Sequence, residues 1–170
     1  MSDTIARVVA ALSGVPNKFV VASDGLLIVE VERAQLRDTM VALKQRAGFE
    51  TNTFVTAVDH FPATPRFEMA YQFLSYTHND RVRVHTWLDE ADAKVPTITD
   101  LWPGTSFSER ECFDMFGILF EGHPDLRRLL MPQAFEHFPL RKDYPHQGIE
   151  PDRLYRTWDR ERRKQWDATK

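Results

Sequence analysis

The chain has 170 residues, 42% of them hydrophobic, and a formal net charge of −3. That length suits one domain, on a scale of about 150 residues per domain, and a chain of this size buries about two-thirds of its unfolded surface without a covalent staple. The mild acidity argues against a general nucleic-acid binder, and the single cysteine, Cys112, excludes an internal disulfide and a four-thiolate iron–sulfur or zinc site built from this chain alone.

The opening residues, Met1-Ser2-Asp3-Thr4-Ile5, carry neither a basic stretch followed by an apolar core nor an Arg-rich organelle-targeting pattern. No apolar run reaches the roughly 20 residues needed to span a bilayer. We expect a chain that is soluble or held at a membrane by other proteins, in a reducing, bacterial cytoplasmic setting. Ile5, Val8, Val9 and Leu12 recur at helical spacing before Gly14, which predicts a short first helix. Phe19 to Val21 and Leu26 to Val31 flank the turn sequence Ser23-Asp24-Gly25 and read as a hairpin. Leu36, Met40, Leu43 and Ala47 line one face of a second helix that stops at Gly48, and Phe54 to Asp59 reads as a strand.

The clearest signal follows. Phe67, Met69, Tyr71 and Phe73 alternate with polar or small residues, and Val82, Val84, Thr86 and Leu88 do the same beyond His78-Asn79-Asp80. Period-two patterning on both sides of a polar turn predicts an antiparallel hairpin with one wet face. Residues 96–106 read as a loop broken by Pro96 and Trp102-Pro103-Gly104. Ser106 with Glu109, or Ser108 with Glu111, has the spacing of a capping box, so a third helix is expected to begin there and end near Gly117. From about residue 120 prolines interrupt the chain and periodicity fades; the charged tail 151–170, with Leu154, Tyr155, Trp158 and Trp166, suits an amphipathic helix that needs a partner. The expected architecture is α+β: a mixed or antiparallel sheet packed with helices over 1–118, then an extended, partner-ordered docking segment and tail over 119–170.

Catalytic signatures are missing. There is no glycine-rich phosphate loop, no Gly-x-Ser-x-Gly elbow and no paired-histidine metalloprotease motif. His123, Asp125 and His137 form a weak candidate metal set, disfavoured by Pro124 and the neighbouring arginines. Cys112, near a helix start, reads better as a small buried residue than as a reactive thiol. Glu109, Glu111 and Asp114 are candidates for proton handling, but Arg110 four residues before Asp114 suggests an ordinary intrahelical ion pair instead. Phe113 and Phe116 on so charged a helix point to a subunit interface, with aromatic and arginine anchors. Arg127-Arg128 and Arg141-Lys142 add groups able to bind phosphate or carboxylate.

Glu109-Arg110-Glu111, Asp114-Met115-Phe116, His123, Arg127 and Leu129-Leu130 resemble the pattern of the C subunit of bacterial respiratory complex I, the proton-pumping NADH–quinone oxidoreductase. The resemblance extends to Asp100-Leu101-Trp102-Pro103-Gly104, to Glu121-Gly122-His123-Pro124-Asp125-Leu126-Arg127-Arg128 and to Pro139-Leu140-Arg141-Lys142-Asp143-Tyr144-Pro145, with Arg66-Phe67-Glu68 and Leu74-Ser75 upstream. It covers residues 50–146; residues 1–49 agree only in length and pattern, and nothing is carried to the tail.

The resemblance implies an α+β subunit of the hydrophilic arm, peripheral on the cytoplasmic side of the bacterial inner membrane. It implies no cofactor in this chain, with flavin (FMN) and iron–sulfur clusters in neighbours that pass electrons from NADH to a quinone such as ubiquinone. The expected partners are the quinone-site D subunit and the iron–sulfur B and I subunits. Partner contacts are expected at Glu109, Arg110, Glu111, Asp114, Phe116, His123, Arg127, Arg128, Leu140, Arg141, Lys142 and Tyr144, and no catalytic or metal-ligating residue is expected. Two other readings fit the residues: the equivalent subunit of a membrane-bound hydrogenase or ferredoxin-driven complex, and a free-standing soluble enzyme using the carboxylates of the 109–114 helix.

Overall fold

The computed structural model describes residues 2–146 and 159–164. The chain opens with helix α1 (Ser2–Ala11), which buries Val8 and Ala11, with Leu12 just beyond its end. Gly14 follows at φ +89°, a left-handed turn that releases the chain from the helix. Strands β1 (Lys18–Val21) and β2 (Leu27–Glu30) form the expected antiparallel hairpin. Helix α2 (Arg33–Gln45) buries Leu36, Met40 and Leu43 at the predicted spacing. Three nine-residue strands come next, β3 (Thr51–Asp59), β4 (Phe67–Ser75) and β5 (Asp80–Leu88).

The five strands form one mixed sheet in the order β1-β2-β5-β4-β3, antiparallel except where β2 meets β5. The parallel step follows from the connection: β2 runs into α2 and β3–β4 before β5 returns beside it, a crossover too long for a hairpin. Alternation sorts the two faces. Met69, Tyr71, Phe73, Val82 and Val84 join the core with residues of α1 and α2, while Glu68, Gln72, Arg83, His85 and Trp87 turn to the other face. The core is completed by Phe49, Trp102 and helix α3 (Thr105–Phe116), whose Cys112, Met115 and Phe116 are buried.

The structure departs from the sequence reading in three details. A 3-10 turn (Glu90–Asp92) leads into a short strand β6 (Lys94–Pro96), which pairs in parallel with β7 (Leu119–Glu121). Three residues are too few for alternation to be read, and Pro96 signals a loop. Because β7 lies beyond residue 118 and Phe120 is in the core, the same layer of structure continues past the boundary expected there. The third helix begins earlier than either expected frame, at Thr105 with Gly104 as its N-cap and no side-chain cap bond, so neither Ser106 nor Ser108 caps it. Its stop is as expected: Gly117 takes φ +77° and its N–H donates to the Phe113 carbonyl. Of the tail, only 159–164 is described; it is helical, with Asp159 and Arg163 paired one turn apart, and the rest of the tail reading lies outside the described residues.

Gly117 also sets a close approach. A Cβ there meets the Phe138 ring and the Arg141 guanidinium at 2.7 Å, whereas one at Gly14 meets nothing within 4 Å. Gly14→Ala is expected to cost about 1–2 kcal/mol from backbone strain alone. Gly117→Ala is expected to cost at least about 1 kcal/mol more, because the 138–141 segment must move. Urea unfolding of the two variants measures the difference; equal costs are the contrary result.

Candidate interaction surface

Helix α3 is amphipathic in an unusual sense: its inward face carries carboxylates. Asp114 is fully buried. Its Oδ2 accepts from the backbone N–H groups of Leu129, Leu130 and Met131 at 3.0, 2.7 and 2.8 Å, and its Oδ1 accepts from the Arg128 guanidinium at 2.7 Å. Burial alone pushes this carboxyl up; the Met131 amide, Arg128 and the Leu130 and Leu129 amides outweigh it, so the group is held below the usual carboxylate range. Arg128 is in turn sandwiched, 5.7 Å from the Phe135 ring centre and 5.5 Å from that of Phe138. One turn earlier, Arg110 donates to the Arg127 and Arg128 carbonyls at 3.1 and 3.2 Å. The expected Arg110–Asp114 pair does not form. Both side chains reach to the same passing segment: its carbonyls accept from Arg110, and its amides and the Arg128 guanidinium donate to Asp114.

Glu109 is also fully buried. It accepts from the Thr97 hydroxyl, from the Ile98 N–H at 2.9 Å and from the Thr105 hydroxyl at 3.5 Å. Thus the glutamate that the sequence placed in a capping box instead ties the loop before α3. Burial raises its pKa, against the pull of these donors.

A second charged knot holds the end of the segment. Arg66, 2% exposed, makes a bidentate pair with buried Asp59 at 3.0 and 2.8 Å. The same guanidinium donates to Glu90 at 2.6 Å and to Asp143 at 2.6 and 3.2 Å, and it lies 5.0 Å from the ring centres of both Phe61 and Phe67. Asp59 also accepts from the backbone N–H of Lys142 at 2.8 Å. Burial pushes Asp59 up, but Arg66 and the Lys142 and Phe61 amides take it down to about 2; Arg66 itself is raised. Arg141 completes the knot, donating to the Phe116 carbonyl at 2.6 Å and stacking 4.6 Å from the Phe138 ring centre. Residues 122–146 are therefore strapped to the domain by contacts within the chain, where the sequence led us to expect partner surfaces.

The twelve residues expected to meet partners divide three ways. Glu109, Asp114 and Phe116 face inward, because their side chains fill the core or bind the strap. Arg110, His123, Arg128, Arg141 and Tyr144 are half-buried and support the strap; His123 lies 3.2 Å from the Ser106 hydroxyl. Glu111, Arg127, Leu140 and Lys142 are exposed. On α3 and the strap the strongest apolar exposure lies mostly outside the twelve: Phe107 is 64% and Leu130 63% exposed, against 53% for Leu140. Leu130 stands in the familial Leu129-Leu130 pair, whereas Phe107 carries no signal beyond being an apolar residue off the buried stripe. Nor did the sequence indicate Asp59. Arg66 and Asp143 stand in the familial stretches, but 77 residues apart.

Among the described residues no three His, Cys, Asp or Glu side chains lie where they could hold a metal ion, so His123, Asp125 and His137 are not brought together as one. His137 instead packs against the Phe135 and Tyr144 rings. Cys112 is buried, its thiol directed at the Val55 carbonyl 3.6 Å away, and burial pushes its pKa well up, away from thiolate reactivity. No helix of the described residues is long and apolar enough to cross a membrane.

Residues 29–150 match the family described as respiratory-chain NADH dehydrogenase, 30 Kd subunit. The NADH-quinone oxidoreductase C subunit of Rhodobacter capsulatus is 48% identical over 126 residues, 73% of this chain and 63% of that protein. The NADH-quinone oxidoreductase C/D 2 subunit of Aquifex aeolicus is 46% identical over 121 residues, 71% of this chain and 20% of that protein. The chain thus spans less than two-thirds of the length of either. A solved structure, the trypsin-resistant fragment (1-134) of Nqo5, superposes with a TM-score of 0.66 and 31% identity over 72% of this chain and 99% of that one.

The two knots predict a sharp acid limit. Asp59, held at about 2, and Asp114, held below its usual value, each contribute stability that is present above the unfolded carboxylate value of about 4 and is lost as pH falls through the folded value. Glu50, lowered to about 2 chiefly by the Thr77 hydroxyl, acts in the same window. Glu109, raised by burial, contributes with the opposite sign, favouring the fold at the acid end. Asp114→Ala, which strands four donors, is expected to cost about 3–5 kcal/mol at neutral pH. Asp114→Asn is expected to flatten the loss of stability below pH 4. Urea titrations at several pH values check both; an unchanged acid slope is the contrary result.

Proposed function

The chain belongs to the respiratory-chain NADH dehydrogenase 30 Kd subunit family, and from that premise we propose that it is a cofactor-free, non-redox subunit of the hydrophilic arm of a proton-translocating NADH–quinone oxidoreductase. In this reading it braces the subunits that carry electrons from NADH through flavin and iron–sulfur clusters to quinone. The observation that supports it best is the strap itself. Two buried charge knots fix an irregular segment on which Leu130 and Leu140 stand exposed, as Phe107 does on α3, with Arg127, Lys142 and Glu111 also exposed. Pre-ordered apolar anchors with a charged surround are what an assembly surface needs, since little entropy is then lost on docking.

The quinone-site D subunit is the first expected neighbour. The Aquifex relative supports it, since its name joins the C and D designations in one chain. The iron–sulfur B and I subunits are the others, and membrane attachment on the cytoplasmic side follows through them. The cofactor-free reading is supported by the lone cysteine, which is buried and poorly ionised. An independent enzyme working through Glu109 and Asp114 is disfavoured, because the chain's own donors occupy both carboxylates.

Phe107→Ala and Leu130→Ala are expected to leave the unfolding midpoint of the isolated chain almost unchanged and to weaken assembly of the arm by about 1–4 kcal/mol each. Phe116→Ala, by contrast, is expected to destabilise the isolated chain by about 3–5 kcal/mol. Yield of the intact assembly and thermal melts of the free chain separate the two classes. Normal assembly from the Phe107 and Leu130 variants is the contrary result. The isolated chain is also expected to carry no stoichiometric iron or flavin after reconstitution, as checked by metal analysis and visible absorbance.

A further inference from the structure

The five-stranded sheet has two edges, and the chain treats them differently. Along β3 the edge is covered: α3 packs there, and the Cys112 thiol meets the Val55 carbonyl. At the other edge, β1 has β2 as its only strand neighbour among the described residues. The phase of its ladder is set by the Ala22 N–H, which donates to the Leu26 carbonyl at 2.9 Å. Hydrogen-bonded pairs alternate along an antiparallel ladder. Val20 and Lys18 therefore bond inward to Ile28 and Glu30, while Phe19 and Val21 direct their N–H and C=O groups away from the sheet. These outward groups meet no partner among the described residues. The same two residues are the exposed apolar ones, Phe19 at 36% and Val21 at 53%. Through their register with Val29 and Leu27 they stand on the helix-side face, the face that forms the core elsewhere in the sheet. One pair of residues thus offers both free backbone groups and an uncovered apolar ledge.

We propose that β1 accepts a sixth strand, an extended segment of a neighbouring chain in the assembly, with apolar side chains at alternate positions over Phe19 and Val21. The free backbone row specifies an extended backbone as its occupant, and the ledge selects which face carries the apolar side chains. A second copy of this chain is the weaker fit. Pairing through a four-residue strand buries far less than the roughly 1,000 Å² that a specific free-standing interface needs. Lys18, exposed at the start of the strand, is also the kind of edge charge that discourages self-pairing. A segment delivered by a neighbour already bound elsewhere needs no such area, because tethering raises its effective concentration. The inference rests on the assembly reading above and adds a place and a mode of contact that the strap does not supply.

Hydrogen exchange of the 15–25 region, measured in the isolated chain and in the purified assembly, tests it. The Phe19 and Val21 amides are expected to exchange at least about tenfold more slowly in the assembly. Val21→Pro removes an outward N–H and spares the ladder to β2; Val21→Lys keeps the N–H and charges the ledge. Both are expected to lower the assembly yield several-fold while the isolated variants keep the wild-type melting temperature. Equal exchange rates in the two states, with the chain present in the assembly, overturn the proposal. So does a concentration-dependent dimer of the free chain that Val21→Pro abolishes, since that makes a second copy the occupant. Absence of the chain from the assembly overturns the functional reading itself, and this inference with it.

Discussion

A charge buried in a protein must be neutralised where it lies, and this chain uses that constraint to hold a segment that has no helix or sheet of its own to stabilise it. Beyond β7 the backbone makes few regular hydrogen bonds. Three consecutive amides, 129–131, are gathered instead by the Asp114 carboxylate, and the Lys142 amide by Asp59. Each carboxylate is matched by a guanidinium, from Arg128 and from Arg66. Replacing well-formed buried pairs with apolar residues often leaves stability unchanged, so the pairs are weak evidence for stability as such. Their consequence here is position: the strap has one register against α3 and β3, because moving it by a residue strands a buried charge.

The sequence reveals the parts of this arrangement that depend on periodicity. The alternation from Phe67 to Leu88 gives the central hairpin, the 36–43 stripe gives α2, and Gly117 ends α3. Pairings between distant residues leave no such trace. Arg66 finds Asp143 across 77 positions, and neither residue differs locally from a surface charge. The reading of Arg110 with Asp114 fails for a related reason. Helix spacing selects the nearest opposite charge, whereas in the folded chain both side chains are turned to a segment that arrives about 15 residues later. β6 and β7 are too short for any pattern. Part of the work of the motif residues is internal: Glu109, Asp114 and Phe116 shape the surface without being part of it.

That division accords with the proposed role of the chain as a bracing subunit of a larger assembly. Inward charges fix the strap, the strap fixes Leu130 and Leu140, and α3 fixes Phe107. The acceptor positions of the buried carboxylates are taken, those of Asp114 by the strap and those of Glu109 by the loop before α3. On this account the subunit's contribution is a rigid surface of defined shape, made rigid before it meets a partner.

The most direct measurement is native-state hydrogen exchange in the isolated chain at the amides of Leu129, Leu130, Met131 and Lys142. If the buried carboxylates hold the strap, these four exchange with protection comparable to that of the β4–β5 core and lose it together when Asp114 and Asp59 are neutralised. Exchange at the rate of an unstructured peptide in the wild-type chain, with the core still protected, would show that the strap is ordered only by partners and would contradict the account.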